Sequence, residues 1–510
     1  MPEHAIPSSL ATKRELFLKL KKQKELKNNE RITPRERKGR IPVSCIQEAT
    51  LMPVINGFYD PEKNRASGPA LGYLIKGRVN LSAFHRTIQE IVKRHEILRT
   101  RYDVVEKQPY QVINEVPDNI LKVVDLNNLS EDERKDELNR IALNRASESF
   151  SFFKDPLMIS FTIITAKDEH ALYFFTNHIA TDGVSMGRLQ FELLALYQSY
   201  SLNIPIPLPE LSLQYADFAI WERERFSGEY LEEKLAYWKH FTGKINSFLP
   251  VDHRPDKFSY GGGIVPVVLL PQMTRELKKI SMENGVTLFT ILYAAFIELI
   301  HIFSGYKYNY FTFVVANRTQ KETEPLIGCF MDWQFHHIEL DRDLTFLEVV
   351  DRTNKTLLKV YDNYVPAYHV RKTIPPQDPV VNFQLQSFGG GSAKSSETAS
   401  EKQETQPKPE TETNDAMSQN MPQPMMFIPL KVEQPTFALF PIETVLRETG
   451  ETINGTFTYK ESFYDRSTIV NLTNDYVLLL NQIIKNPEIR MSEMKMKPHK
   501  SVIEKTIYPR

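Results

Sequence analysis

The spacing of hydrophobic residues predicts two successive series of strands and helices. Apolar residues alternate with polar ones where a strand is expected, and they return every three to four residues where a helix is expected. The first series, within residues 41–209, comprises elements at 70–75, 81–95, 131–148, 158–165, 172–176 and 186–200. The second, within residues 215–494, comprises elements at 215–225, 230–241, 273–283, 288–303, 310–315, 336–340, 380–388, 427–440, 453–459 and 467–484.

Two segments depart from this pattern. Residues 9–40 indicate a helical leader: a basic, partly amphipathic helix, with Leu10, Phe17 and Leu20 on one side, is followed by a polar connector that ends at Pro42. It would be either a solvated linker or a contact for a partner protein. Residues 389–426 consist mainly of Gly, Ser, Thr, Glu, Gln, Lys and Pro, without aromatic residues, which predicts a disordered insert. Because strand and helix patterns resume after it, the insert interrupts one domain and does not separate two.

Composition excludes several classes of protein. The 510 residues exceed what one hydrophobic core supports, so at least two packed units are expected. Lys and Arg (63) balance Asp and Glu (64), which argues against a nucleic-acid or anionic membrane partner. The two cysteines, Cys45 and Cys329, are too few and too isolated for a disulfide framework. No signal peptide and no apolar run of about 18 residues is present, so a cytoplasmic location is expected.

The candidate chemistry lies at the end of the apolar segment 172–176. His178 follows that strand, and an imidazole can take a proton from an attacking amine or hydroxyl near neutral pH. Asp182 can hold the local loop or pair with an arginine. Gly183 opens the next helix, whose N–H groups and dipole could stabilise an oxyanion. The His-x-x-x-Asp spacing alone is weak evidence, because a strand-end histidine is more often structural.

A metal site is not expected. His336 and His337 are adjacent in a predicted strand, so their side chains point to opposite faces, and no third ligand is evident in the sequence.

Several segments resemble, in the same order, the motifs of condensation domains of nonribosomal peptide synthetases. Residues 177–183, Asn-His-Ile-Ala-Thr-Asp-Gly, resemble the His-His-x-x-x-Asp-Gly signature, with His178 at its catalytic second histidine. Upstream, residues 94–102 are similar to Arg-His-Glu-x-Leu-Arg-Thr. The other similar segments are 44–48, 215–221, 237–238, 317–319, 327–332 and 382–384. The likeness spans about residues 41–495.

The resemblance implies an α/β fold of two chloramphenicol acetyltransferase-like lobes in a V-shaped pseudo-dimer with a central tunnel. The expected domains are a helical leader at 1–40, an N-terminal lobe at 41–212 and a C-terminal lobe at 213–497 that contains the insert. His178 would lie at the middle of the tunnel.

The activity implied is that of an acyltransferase, which joins a carrier-bound acyl thioester to an amine acceptor by an amide bond. Such enzymes serve secondary-metabolite and antibiotic biosynthesis. The partner would be an acyl or peptidyl carrier protein that bears the substrate on phosphopantetheine, and no cofactor is expected on the chain itself. Because the sequence contains no adenylation or carrier segment, a free-standing enzyme is expected.

The resemblance also assigns roles to individual residues. His178 would be the base or orienter, the Gly183 region would stabilise the oxyanion, and Asp182 would pair with Arg318. The supporting residues are Asn177, Arg318 and Arg99, and the residues assigned to the tunnel or substrate site are Trp333, Asp332 and Gln384.

Departures from the motifs leave alternatives open. Asn177 replaces the first histidine, Val184 stands where tryptophan is frequent, and 331–333 reads Met-Asp-Trp in place of Val-Asn-Thr. The changes at Val184 and at residues 331–333 suggest an unusual substrate. Ester formation with an alcohol acceptor and use of an acyl-coenzyme A donor are alternatives of the same superfamily. A third alternative is a catalytically silent member that recruits carrier proteins.

Overall fold

The computed structural model of the chain describes a mixed α/β protein. The residues described are 31–58, 68–146, 150–166, 169–241, 249–253, 261–305, 307–341, 343–373, 381–387, 426–430, 436–494 and 496. Residues 1–30 of the predicted leader and residues 389–425 of the predicted insert lie outside this set. The described residues 31–40, which fall in the polar connector expected before Pro42, are not helical.

The first large sheet has five strands in the order β12-β2-β7-β6-β5. All neighbours are antiparallel except β5 and β6, which are parallel. The strands are β2 (Ala70–Lys76), β5 (Leu121–Asp125), β6 (Ile159–Ala166), β7 (Glu169–Thr176) and β12 (Met426–Leu430). The helices of this part of the chain are α1 (Cys45–Ile55), α2 (Leu81–Arg94), α3 (Glu131–Ala146), α4 (Gly183–Leu202), α5 (Tyr215–Arg225) and α6 (Gly228–Lys239). A smaller antiparallel sheet contains β1 (Ile41–Pro42), β3 (Thr100–Val105) and β4 (Gln108–Ile113) in the order β1-β4-β3.

The second large sheet has six strands in the order β10-β9-β11-β13-β14-β8. The strand β11 is parallel to both of its neighbours, and the other pairs are antiparallel. The strands are β8 (Gly262–Leu269), β9 (Tyr308–Val315), β10 (Asp332–Glu339), β11 (Val381–Ser387), β13 (Ile442–Thr449) and β14 (Thr452–Lys460). The helices are α7 (Pro271–Glu283), α8 (Leu288–Ser304), α9 (Phe346–Asp362), α10 (Ala367–Thr373) and α11 (Arg466–Lys485).

Each large sheet has a hydrophobic core of its own. The centre of the second core is α8, which is buried without interruption from Thr290 to His301 because α7, α9 and α11 pack around it. Within the described residues, no single helix is both long and apolar enough to cross a membrane. Only α7 and α8 taken together meet that test, and they are bent by 104° relative to each other.

The strand β12 belongs to the first sheet, although it follows most of the second in sequence. Phe427 pairs with Ile75 and Leu430 with Gly72, antiparallel to β2. The sequence reasoning put this segment in the C-terminal lobe, as part of one strand-like run at 427–440. The structure describes β12 at Met426–Leu430 and β13 at Ile442–Thr449, and residues 431–435 between them lie outside the described residues. Residues that follow 212 therefore complete the first large sheet.

A second contribution to the first core comes from residues after 212. Leu326, Ile327 and Phe330 are buried with Tyr215 and Phe218 against side chains of the first series. The predicted boundary at 212/213 thus does not separate the two cores cleanly in sequence, because two later segments return to the first.

A buried carboxylate ties α2 to α4. Glu192 is fully buried and accepts hydrogen bonds from Arg94 Nε (3.2 Å) and His95 Nε2 (2.9 Å). Burial acts to raise the pKa of Glu192, but the bond from His95 and the charges of the arginines around it lower that pKa to about 2. His95 Nδ1 in turn accepts from Ile327 N–H at 3.4 Å. The pair of helices is thereby linked to the segment that enters the first core.

Replacing this carboxylate should destabilise the fold. In Glu192→Ala, the cations of Arg94 and Arg188 lose a fully buried counter-ion, so the free energy of unfolding should fall by about 3–5 kcal/mol. The matched control is Glu232→Ala, which breaks an exposed pair with Lys239 and should cost less than about 1 kcal/mol. Urea unfolding followed by tryptophan fluorescence measures both. Equal, small losses in the two variants would contradict the role given to Glu192.

Candidate active site

The candidate site begins where β7 ends, in the loop 177–182 that leads into α4. The backbone of Gly68 lies against this loop so closely that a Cβ at residue 68 would fall 1.9 Å from Thr176 O and 2.7 Å from His178 N. Only glycine fits there without moving the loop. His178 itself is exposed, whereas its neighbours on both sides are buried. The imidazole is therefore the side chain of this loop that solvent and reactants can reach.

Asn177 shapes the loop and does not reach out of it. It is buried, its Oδ1 accepts from Ile179 N–H (3.0 Å), and its carbonyl accepts from Ala180 N–H (3.0 Å) and Thr181 Oγ1 (3.2 Å). The amide at this position thus performs a structural task in the loop.

Asp182 is the N-cap of α4. Its Oδ1 accepts from Ser185 N–H at 2.8 Å, which satisfies one of the free N–H groups at the helix start. Its Oδ2 accepts from Phe330 N–H at 3.0 Å. Both carboxylate oxygens are therefore occupied by the helix start and by the segment before β10.

The ion pair that the resemblance implied between Asp182 and Arg318 is present. Arg318 Nη2 lies 3.2 Å from Asp182 Oδ1 and 3.4 Å from Oδ2, and both side chains are more than 90% buried. The guanidinium also donates from Nη1 to the carbonyls of Thr323 (2.6 Å) and Leu326 (2.9 Å), and it lies 4.2 Å from the ring of Phe330. Arg318 thus connects the loop 177–182 to residues 323–330.

Residues 327–330 are fixed from several directions. Gly328 N–H donates to Ser185 Oγ (3.0 Å), and the same hydroxyl lies 2.7 Å from Gly328 O. Tyr215 Oη donates to the carbonyl of Cys329 at 2.5 Å. A Cβ at residue 328 would lie 2.1 Å from the Tyr215 ring, so glycine is required here. The sequence reasoning did not single out Ser185, Tyr215 or Cys329, although Tyr215 and Cys329 lie within its matched motifs.

Cys329 places its sulfur beside the candidate catalytic ring. Its Sγ is 3.9 Å from His178 Nδ1, and the side chain is buried. Burial, together with the charges of Asp182 and Asp332, raises the pKa of this thiol well above its ordinary value. The group beneath His178 is therefore a protonated thiol at neutral pH.

Gly183 is the first residue of α4 and is exposed, and a Cβ built on it would meet nothing within 4 Å. The start of α4 therefore borders open space, as an oxyanion site requires. Arg99, in contrast, donates to the carbonyl of Asn114 and lies 4.0 Å from Glu96, so its bonds hold the chain around β3 and β4. The support assigned to Arg99 is thus structural and local to that sheet.

The three residues assigned to a tunnel occupy different environments. Gln384 Nε2 donates to Glu443 Oε1 (2.8 Å) across β11 and β13. Trp333 is half-buried at the start of β10, near the ring of Phe440 and the guanidinium of Arg371. Asp332 lies close enough to Cys329 for its charge to contribute to the raised pKa of that thiol.

Asp332 is a buried acid held by many donors. It accepts from the backbone N–H groups of Trp333 (2.9 Å) and Ala367 (3.0 Å) and from Tyr364 Oη (3.2 Å). Burial raises the pKa of Asp332 to about 7 against the opposing effect of these bonds, and the nearby carboxylate of Glu222 adds to the rise. The resemblance places an asparagine at this position, so this titratable group is a departure of this chain.

The pair His336 and His337 has the structural role expected from its position in a strand. His336 is buried between Tyr293 Oη (3.2 Å) and Thr356 Oγ1 (2.6 Å), and burial lowers its pKa to about 3. His337 packs 5.1 Å from the ring of Phe241. The part of the chain that the structure describes contains no cluster of three or more metal-ligating side chains.

The chain matches the family of condensation domains over residues 39–502, and it therefore belongs to that family. One curated relative is a component of the linear gramicidin synthase of Brevibacillus parabrevis, 29% identical over 81% of this chain and 5% of the relative. The X-domain in complex with OxyB from teicoplanin biosynthesis is 20% identical, with a TM-score of 0.75, and the match covers 92% of this chain and 98% of that one. The epimerization domain from the third module of tyrocidine synthetase B is 17% identical, with a TM-score of 0.69, and the match covers 89% of this chain and 98% of that one. The fold is thus the chloramphenicol acetyltransferase-like α/β fold expected from the sequence, and this chain spans only a small part of its curated relative.

The two charges of the buried ion pair should be energetically coupled. Asp182→Ala and Arg318→Ala should each lower the free energy of unfolding by about 3–5 kcal/mol, because each leaves a buried charge without its partner. The double variant should lose at least about 1 kcal/mol less than the sum of the two. Denaturant unfolding measures the cycle, and Glu451→Ala, which breaks the exposed pair with Arg275, is the control. Additive losses would contradict the coupling.

Asp332 should make stability depend on pH in a defined window. Its pKa in the folded protein is raised from 3.8 to about 7, so its contribution to stability is lost as the pH rises through that interval. Asp332→Asn removes the group. The difference in unfolding free energy, variant minus wild type, should therefore increase between about pH 4 and pH 7 by up to about 4 kcal/mol and then level off. Denaturant unfolding at several pH values measures it, and a pH-independent difference would contradict the assignment.

Proposed function

We propose that this chain forms an amide bond between a carrier-bound acyl thioester and an amine acceptor. The observation that carries the proposal is the exposed imidazole of His178, on a loop that a buried ion pair fixes. The family to which the chain belongs supports acyl transfer. The curated relatives include synthases of linear gramicidin and bacitracin, which supports a place in secondary-metabolite biosynthesis.

In the proposed reaction, the amine nitrogen attacks the thioester carbonyl, the C–N bond forms and the C–S bond breaks. His178 either takes the proton from the attacking amine or orients the amine by a hydrogen bond. The proton ends on the departing thiolate of the phosphopantetheine arm, so atoms and charge balance. No cofactor enters this scheme, because the carrier delivers the acyl group already activated.

The start of α4 is suited to the charge that develops on the carbonyl oxygen. The helix dipole gives this end partial positive charge, and Gly183 leaves the space beside it open. The carboxylate of Asp182 would repel a negative charge at this place, but the cation of Arg318, which is paired with it, reduces that repulsion. The arrangement thus supports stabilisation of an oxyanion near Gly183.

The carrier partner is part of the proposal. A four-domain nonribosomal peptide synthetase is among the solved structures that share this fold, with a TM-score of 0.72. We propose that an acyl or peptidyl carrier protein, supplied by a separate chain or by a neighbouring domain, presents the thioester to His178. An alcohol acceptor or an acyl-coenzyme A donor would use the same groups.

Removing the imidazole should abolish most turnover. With an acyl-loaded carrier protein and a panel of amines, His178→Ala should lower kcat by about 10²- to 10⁴-fold, because positioned proton transfer typically contributes that much. Product is measured by mass spectrometry. The matched control is His253→Ala, which removes an exposed histidine paired with Asp465 and should leave the rate unchanged.

The substrate panel separates the alternatives. Alcohol acceptors and free acyl-coenzyme A are tested beside the amines and the carrier-bound donor. Ester products in preference to amides would replace the amine proposal with the alcohol one. Tight carrier binding without turnover of any donor and acceptor would favour a recruiting role, and full activity in His178→Ala would remove the role assigned to that residue.

A further inference from the structure

The pairing of His178 with a thiol leads to an inference about how the ring is held. A histidine that transfers protons is commonly oriented by a third group bound to its other ring nitrogen, most often a carboxylate or a backbone carbonyl. In this chain the nearby carboxylate, Asp182, is bound to Arg318, Ser185 and Phe330 N–H. Among the residues that the structure describes, the side chain within hydrogen-bonding reach of the His178 ring is that of Cys329.

The position of Cys329 is determined by its neighbours in sequence. The residue before it, Gly328, is bound on both its N–H and its carbonyl by Ser185 Oγ. The residue after it, Phe330, donates its N–H to Asp182, and Tyr215 binds the carbonyl of Cys329 itself. Four hydrogen bonds within three residues leave the backbone little freedom. The sulfur of Cys329 is therefore held at a fixed position beside the imidazole of His178.

We propose that Cys329 is a positioning residue for His178, whose Nδ1–H donates to the cysteine sulfur so that Nε2 faces the reactants. The inference rests on the proposed function, in which His178 acts on the acceptor. It assigns no covalent step to the cysteine. The nitrogen that meets the substrate is then the unprotonated one, which can accept a hydrogen bond or a proton from the amine.

The charges around the sulfur favour this direction of the hydrogen bond. The carboxylates of Asp182 and Asp332 place negative charge near the sulfur of Cys329, and the positive charge of Arg318 offsets only part of it. A negative environment attracts the Nδ1 proton towards the sulfur. Sulfur is a weak acceptor, so the bond orients the ring without holding its proton strongly.

The test combines a spectrum with kinetics. In protein labelled with ¹⁵N-histidine, the wild-type His178 signals should show a protonated Nδ1 and an unprotonated Nε2, and His178→Ala identifies those signals. In Cys329→Ala the two nitrogen shifts should move towards each other, as both tautomers become populated. The same variant should lower kcat about tenfold to hundredfold with KM within about twofold, because a loose ring is misplaced for reaction.

Conservative and control variants exclude a merely structural effect. Cys329→Ser keeps an acceptor at the same position, so it should restore the wild-type tautomer and most of kcat. The acid limb of the kcat/KM profile should move to lower pH in Cys329→Ala, since the imidazolium loses an acceptor, and should return in the serine variant. Cys45→Ala removes the other free thiol, which lies 3.5 Å from His369 Nε2, and should change neither readout.

The outcomes separate this inference from the proposed function. A wild-type ring protonated on Nε2, or His178 signals that are the same in Cys329→Ala, would overturn the positioning role even if the enzyme turns over. Absence of turnover with every substrate would overturn the proposed function. The spectra of the wild type, Cys329→Ala and Cys329→Ser would still decide the role of Cys329.

Discussion

The candidate site depends on one buried ion pair, between Asp182 and Arg318. Asp182 caps α4 and follows the strand that delivers His178, whereas Arg318 lies between β9 and β10 of the other sheet. Burying two charges costs several kcal/mol, and their attraction repays this only when further hydrogen bonds satisfy the remaining donors and acceptors. Here Ser185, Phe330 and the carbonyls of residues 323 and 326 supply those bonds. The pair is therefore better understood as a device that fixes the geometry of the loop than as a source of net stability.

The carboxylate of Asp182 cannot both fix the loop and orient the imidazole of His178. An aspartate bound to an arginine, a helix start and a backbone N–H has no free oxygen with which to orient an imidazole. The catalytic ring must then be held by something else, and the segment that Asp182 itself fixes carries the thiol that lies against Nδ1. The aspartate thus acts on His178 indirectly, through the position of Cys329. The order of residues in the motif, with Asp182 four positions after His178, reflects folding of the loop and not a proton relay.

The sequence predicted most elements of the fold, because alternation and helical periodicity are local properties. Helix α5 was predicted with the observed ends, and most other elements were within a few residues. The ion pair of Asp182 and Arg318 was predicted from the resemblance alone. The place of β12 was not predicted, since the alternation of 427–440 shows that a strand is present but not which strand it pairs with. The contacts of Gln384 were not predicted for a related reason: its motif marks a position in β11, and only the folded sheet shows that the amide donates to Glu443.

The residues that sequence reasoning missed act through contacts between distant segments. Ser185 and Tyr215 stand beside or within motifs, but their partners are 143 and 114 positions away in the chain. Gly328 carried a signal that could have found them, because a glycine between apolar residues often indicates a close approach of another group. In the structure that group is the ring of Tyr215. The requirement is steric, and it becomes visible only when the partner ring is known.

The acids near the site have a consequence for the proposed chemistry. A thiolate beside a thioester would compete with the acceptor amine, because a thiolate is a strong nucleophile and exchange between thioesters is facile. Burial and the charges of Asp182 and Asp332 raise the pKa of Cys329, and burial together with Glu222 raises that of Cys45. Both cysteines are therefore kept as neutral thiols. The environment that favours a hydrogen bond from His178 to Cys329 also keeps the thiol protonated, so the cysteine can lie against the imidazole without capturing the acyl group.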